Sequence, residues 1–173
     1  RPVPPPPAPS HEGFIIAEYN ERRKGENEMT VQIKKVDERA KLPVRATEGS
    51  AGYDLFALLD EERLIYPGQP IRIHTGIAIS MPKQEMVGLV YPRSGLASKF
   101  GLIPSNCVGV IDSDYRGEIM VSITNLSQSV YCMKPFERIA QLVFAPVFLP
   151  DLEETDTLSE TERGMGGFGS TGH

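Results

Sequence analysis

Near the C-terminus, Arg163 precedes the run Gly164-Met165-Gly166-Gly167-Phe168-Gly169, and Ser170 and Thr171 follow it. Glycines let successive backbone N–H groups curl around an anion, a guanidinium adds a fixed positive charge, and hydroxyls add donors. The chemistry this run suits is capture of phosphate groups, with the Phe168 ring free to lie against something flat. In form the run also matches G-x-G-x-x-G. A dinucleotide fingerprint, however, needs a strand before it, a helix after it and an acidic residue about twenty positions on, whereas only four residues follow Gly169. The competing reading is a Gly-rich terminus that binds nothing.

Four internal segments are dense in turn formers and functional groups where a structural strand would alternate apolar and polar residues. They are Ala51-Gly52-Tyr53-Asp54-Leu55, Pro92-Arg93-Ser94-Gly95-Leu96-Ala97-Ser98-Lys99, Gly109-Val110-Ile111-Asp112-Ser113-Asp114-Tyr115-Arg116-Gly117 and Arg138-Ile139-Ala140-Gln141-Leu142. Each also has a plain structural reading. Asp112-Ser113-Asp114 is good hairpin-turn chemistry, and Ser94 suits a helix cap. Asp54 suits a surface turn, Tyr115 packing in a strand, and Arg93 and Arg138 surface ion pairs.

The elements that must carry these segments are short and β-rich. Runs at 31–36, 52–58, 71–79, 86–91, 118–123 and 139–148 are punctuated by Gly, Pro, Asn and Asp, and the one expected helix covers 94–100. So many short runs, without helical periodicity beyond a turn or two, argue an antiparallel barrel or a double-sheet jelly roll. His74 falls on the polar side of the alternating Ile71-Arg72-Ile73-His74-Thr75 and is expected on a solvated face. The first ten residues hold six of the 15 prolines, an extended linker or tail rather than core. Residues 1–28 are thus read as a Pro-rich, polar, disordered extension and 29–150 as the β core, the ordered part opening at Met29. Residues 151–173 are read as an acidic linker and flexible Gly-rich arm. The opening Arg is expected to reflect processing or a fragment boundary, and Arg22-Arg23-Lys24, among acidic neighbours, a solvated surface.

A chain of 173 residues with 40% apolar side chains has one domain's worth of core. The 18 basic residues against 23 acidic ones leave a net charge of −5, so no global basic field draws in nucleic acid, and an anionic ligand must be captured locally. The longest charge-free apolar stretch, 139–150, spans 12 residues and is interrupted by Pro146, too short for a bilayer. Cys107 and Cys132 lie 25 positions apart without a C-x-x-C, which disfavours structural zinc and a disulfide framework and suits a reducing compartment. The expected location is cytoplasmic, with nuclear, organellar and viral settings left open.

Together with the arm, the four segments resemble, in order and spacing, the five motifs of the trimeric dUTP diphosphatases (dUTPases), over 31–172. The resemblance implies an all-β fold, a jelly-roll-like dUTPase β-barrel with one short helix and a flexible arm. It also implies a homotrimer with active sites shared between chains, no nucleic-acid or membrane partner, and conversion of dUTP and water to dUMP and pyrophosphate with Mg²⁺. That activity lowers dUTP and supplies dUMP for dTMP synthesis. By the same resemblance Asp112 deprotonates the attacking water and Gln141 helps orient it. Tyr115 packs under the deoxyribose and leaves no space for a 2′-hydroxyl. Asn106 reads uracil with the backbone of Gly109, Val110 and Ile111, and Phe168 stacks on the base. Arg93, Ser94, Gly95, Arg138, Arg163, Gly166, Gly167, Ser170 and Thr171 hold the phosphates, and Asp54 holds Mg²⁺ through its water shell. The arginines with Mg²⁺ would offset the charge of about −4 that a triphosphate brings to an acidic protein. Two alternatives remain: a non-catalytic nucleotide-binding or regulatory module on the same fold, and the related dCTP deaminases. The Asp112-to-Tyr115 hairpin and the Phe-containing arm are of diphosphatase type.

Overall fold

Strand β6 (Met86–Pro92) buries Met86, Gly88 and Val90 and leaves Val87 and Leu89 half-buried, and β9 (Met120–Asn125) buries Val121, Ile123 and Asn125. This period of two drives the apolar face of each sheet onto a common core. The computed structural model describes residues 30–167; the head 1–28, Met29, Phe168, Ser170 and Thr171 lie outside the described residues. The remaining strands are β1 (Gln32–Lys35), β2 (Tyr53–Phe56), β3 (Arg63–Ile65), β4 (Ile71–His74), β5 (Ile77–Ser80), β7 (Leu102–Pro104), β8 (Gly109–Ile111), β10 (Tyr131–Met133) and β11 (Arg138–Pro146). They pair as β1-β5, β10-β3, β2-β11-β6-β8 and β4-β9-β7, every ladder antiparallel. Leu55, Ile65, Ile73, Ile77, Ile123 and Ile139, drawn from all four sheets and both ends of the chain, meet in one core.

The expected β-barrel is corrected here. Closure needs an unbroken hydrogen-bonded ladder around the circumference, but the described strands fall into four separate sheets, and β8 ends its sheet with one edge free of any partner strand. The result is an all-β, jelly-roll-like packing of open sheets with one short helix. A sequence of short alternating runs buries the same faces whether sheets close or pack against one another, so the pattern could not distinguish them. Strands of three residues, such as β3, β7 and β10, also show no readable period. The run expected at 71–79 divides into β4 and β5 around Thr75 and Gly76. Gly76 has φ +69°, and a Cβ there would stand 2.7 Å from the Cβ of Ala40, so only glycine makes this turn.

The helix α1 forms over the expected span, Ser94–Phe100. Its N-cap is Arg93, with no side-chain capping bond, so Ser94 does not serve as the cap. After β11, residues 147–167 form neither helix nor strand, and 151–160 are exposed throughout. The thiol of Cys132 donates to Glu62 Oε2 (3.2 Å), a bond that pushes its pKa up; both cysteines are free.

Asn125 is fully buried and uses its whole amide. Its Nδ2 donates to the carbonyls of Ile65 (2.9 Å) and Ser129 (2.8 Å), while its Oδ1 accepts from Ser127 N (2.9 Å) and Ser127 Oγ (2.8 Å). It ties β9 to β3 and to the turn before β10. Asn125→Leu fills the space but strands several of these groups, and should cost about 2–4 kcal/mol. Urea denaturation checks this: an unchanged midpoint would show the network to be dispensable.

Candidate active site

The sheet β2-β11-β6-β8 aligns functional side chains by register. Asp54 on β2 faces Gln141 on β11, which faces Tyr91 on β6, and Arg93 follows the end of β6. A bulge between Arg138 and Ala140 lets Ile139 and Ala140 both enter the core while Arg138 turns outward.

Three motifs therefore converge. Asp54 is only 8% exposed, and its carboxylate bridges two guanidinium groups: Arg93 Nε donates to Oδ1 (2.8 Å) and Arg138 Nη1 to Oδ2 (3.0 Å). Arg93 Nη1 also reaches the Arg138 carbonyl at 3.3 Å. A buried carboxylate is tolerable only when paired in this way, and the pair in turn orients both arginines. Two positive charges against one negative leave a net positive spot on an acidic protein. Among the described residues the other guanidinium N–H groups have no protein acceptor, which leaves them free for an anion. Next to them Ser94 and Gly95 are exposed, and a Cβ at Gly95 would meet nothing within 4 Å.

Gln141 is anchored through its amide nitrogen and fits closely against Gly52. Its Nε2 donates to the Pro92 carbonyl (3.0 Å), and its Oε1 lies so close to Gly52 that a Cβ there would stand 2.7 Å away. Sequence reasoning quoted Gly52 but assigned it no role. No signal in the sequence could have found it, because the approach of Gln141 to Gly52 follows from the pairing of β11 with β2.

The segment 109–117, with Asn106 before it, forms a separate place. Asn106 is exposed in the loop between β7 and β8, with its Nδ2 3.5 Å from where a Cβ on Gly109 would lie. Gly109, Val110 and Ile111 form β8, whose unpaired edge offers backbone donors and acceptors. Asp112 is exposed just beyond it, in a turn closed by Tyr115 N donating to the Asp112 carbonyl (3.1 Å). Tyr115 is 41% exposed and donates its hydroxyl to the Glu118 carbonyl (3.0 Å).

These two places do not meet within one chain. Ile111 faces Gly88, so Asp112 continues to a point opposite Val87, four residues along β6 from Tyr91, the partner of Gln141. At about 3.3 Å per residue and about 4.8 Å per strand, the Cα atoms of Asp112 and Gln141 stand roughly 16 Å apart. That is too far for both side chains to hold one water. On the arm, Arg163 Nε donates to the Gly166 carbonyl (3.1 Å) and Gly166 N to the Arg163 carbonyl (3.1 Å), while a Cβ at Gly167 would meet nothing within 4 Å.

The donor set bears on Mg²⁺. Among the described residues no group of three or more His, Cys, Asp or Glu side chains could hold a metal ion. Asp54 is a lone carboxylate with each oxygen already engaged by arginine. Such a site fits an ion that brings its own waters and phosphate ligands, as Mg²⁺ does, and does not fit a resident ion.

The dUTPase family model matches residues 38–172. A deoxyuridine 5'-triphosphate nucleotidohydrolase of Desulfitobacterium hafniense (strain DSM 10664 / DCB-2) is 52% identical over 148 residues, covering 84% of this chain and 98% of that protein. The enzyme of the same name from Acinetobacter baylyi is 47% identical, covering 83% and 99%. Among solved structures, a mutant dUTPase of Staphylococcus bacteriophage 80alpha with dUpNHpp superposes with a TM-score of 0.72 at 30% identity, over 83% of this chain and 99% of that one. A mutant dUTPase of the S. aureus phage phi11, described for its coordination of a structural Mg(II) ion, gives 0.67 at 27% identity, over 76% and 99%. With the motifs, the fold and the match over most of its length in agreement, the chain belongs to the dUTPase family.

Proposed function

We propose that this chain hydrolyses dUTP to dUMP and pyrophosphate in sites assembled from neighbouring copies of itself. The hydrolysis is the reaction of its family. It lowers dUTP and yields dUMP for dTMP synthesis. The observation that carries the shared site is the roughly 16 Å between Asp112 and Gln141, estimated from strand spacing and register. A homotrimer brings the Asp112 hairpin of one copy to the Asp54, Arg93, Arg138 and Gln141 cluster of the next.

In such a site Asn106 and the free edge of Gly109, Val110 and Ile111 read the uracil edge. A cytosine there would leave polar groups mispaired, at about 1–3 kcal/mol each. The Tyr115 ring packs under the deoxyribose, and Phe168 closes over the base. Arg93 and Arg138, fixed by Asp54, hold phosphate oxygens together with Ser94, the Gly95 backbone and the arm residues Arg163, Gly166, Gly167, Ser170 and Thr171. Asp112 accepts a proton from a water that Gln141 helps orient, and the water attacks the α-phosphorus in line as pyrophosphate leaves. Asp54 would hold Mg²⁺ through the ion's water shell, and the ion would supply charge neutralisation to the triphosphate.

We further read 1–28 as an extension outside the enzyme core, 29–150 as the core and 151–173 as linker and arm. No helix among the described residues is long and apolar enough to cross a membrane. With two free cysteines and a net charge of −5 that gives no global basic field, we place the protein in the cytoplasm, without nucleic-acid or membrane partners.

The test is pyrophosphate release from dUTP with Mg²⁺, beside UTP, dTTP and dCTP. Release selective for dUTP is expected. Ammonia release from a cytosine nucleotide would point to a deaminase, and dUTP binding without turnover to a binding module.

A further inference from the structure

Besides Tyr115 and Asp112, the hairpin that follows β8 carries a residue with no assigned part in the reaction. Glu118 sits where the hairpin enters β9, with its side chain 21% exposed. Its Oε1 accepts from the backbone N–H of Gly76 (2.7 Å) and its Oε2 lies 2.8 Å from His74 Nδ1. His74 ends β4 and Gly76 lies in the turn that leads to β5. That turn is a firm anchor, because Gly76 is wedged against Ala40 and Leu58, with its carbonyl accepting from Val36 N (2.8 Å). Next along the chain, Ile119 N donates to the Ile77 carbonyl (2.9 Å) and Thr75 Oγ1 to the Ile119 carbonyl. The base of the hairpin is thus stapled to the β4–β5 turn by side chain and backbone together.

The same residue holds Tyr115. The tyrosine hydroxyl donates to the Glu118 carbonyl (3.0 Å), and the ring lies against Gly117, where a Cβ would stand 2.6 Å from Cζ. Ring, carbonyl, carboxylate and the Gly76 amide form one chain of contacts from the sugar-facing surface to the core. Rejecting a ribose by its 2′-hydroxyl is a matter of about one oxygen's width. A ring that can retreat by about 1 Å no longer rejects it.

We propose that Glu118 is the positioning residue for sugar selectivity: by clamping the hairpin to the β4–β5 turn it holds the Tyr115 ring where a 2′-hydroxyl cannot fit. This rests on the reading of Tyr115 as the sugar platform. Glu118 touches neither sugar nor phosphate, and its effect passes through Tyr115.

The experiment compares kcat/KM for dUTP and UTP in the full-length enzyme and in Glu118→Ala, Glu118→Asp, Glu118→Gln and Tyr115→Ala. The ratio is the readout because loss of folded enzyme lowers both activities equally and leaves it unchanged. Glu118→Ala should raise UTP relative to dUTP about tenfold or more, mainly through KM. Glu118→Asp keeps the charge but, one methylene short, loses the reach to Gly76 and should shift the ratio in the same direction; it replaces the alanine variant if circular dichroism shows that variant unfolded. Glu118→Gln still accepts from Gly76 N–H and should restore most of the selectivity. An unchanged ratio in the folded Ala or Asp variant, with Tyr115→Ala relaxed, overturns the proposal. An unchanged ratio in Tyr115→Ala overturns the sugar-platform reading and the proposal with it.

Discussion

Asp112→Asn should lower kcat for dUTP by about 10²–10⁴-fold, the range that loss of a general base removes, while leaving nucleotide binding close to the parent. Asparagine matches aspartate in shape but cannot take a proton from water. The structure makes this substitution clean. Asp112 is exposed, its side chain has no protein partner among the described residues, and the turn is closed by the backbone bond from Tyr115 N to the Asp112 carbonyl. The hairpin should therefore keep its shape with asparagine in place, so lost activity reports chemistry and not misfolding. Pyrophosphate release gives kcat, and calorimetric titration with a non-hydrolysable dUTP analogue gives the affinity. Near-normal kcat would assign the proton to another group.

Ending the chain after Glu162 should cut kcat/KM by about 10²-fold or more, since the phosphate contacts and the closure that excludes water go together. The fold should not suffer. Residues 151–160 are exposed throughout and contribute nothing to the core, and Arg163 and Gly166 bond only to one another among the described residues. Thermal denaturation and the number of chains per assembly in solution should match those of the full chain. Mixing this truncated chain with Asp112→Asn then tests whether the site is shared. Some mixed trimers join a native Asp112 from the truncated chain to an intact arm from the other, and activity should return above that of either parent. Confirmed mixed trimers with no recovery would place the site within a single chain.

Most of the candidate groups could be named from the sequence because they are contiguous: the Asp112-to-Tyr115 hairpin, the Arg93-Ser94-Gly95 corner and the Gly-rich run each carry their residue types within a few positions. The short helix was legible for the same local reason. Closure of the sheets was not, because alternation records which face is buried and not which edge is paired. Nor could the sequence reveal that Asp54 bridges Arg93 and Arg138, separated from them by 39 and 84 positions, or that Gly52 leaves space for Gln141. His74 was expected only to be solvated. It is exposed, and yet it faces a carboxylate 44 positions away. These pairings follow from strand register, which depends on how several sheets bury their apolar faces in one core at once. Local residue chemistry named the groups. Long-range packing set which of them meet, and by register and strand spacing it left Asp112 roughly 16 Å from Gln141.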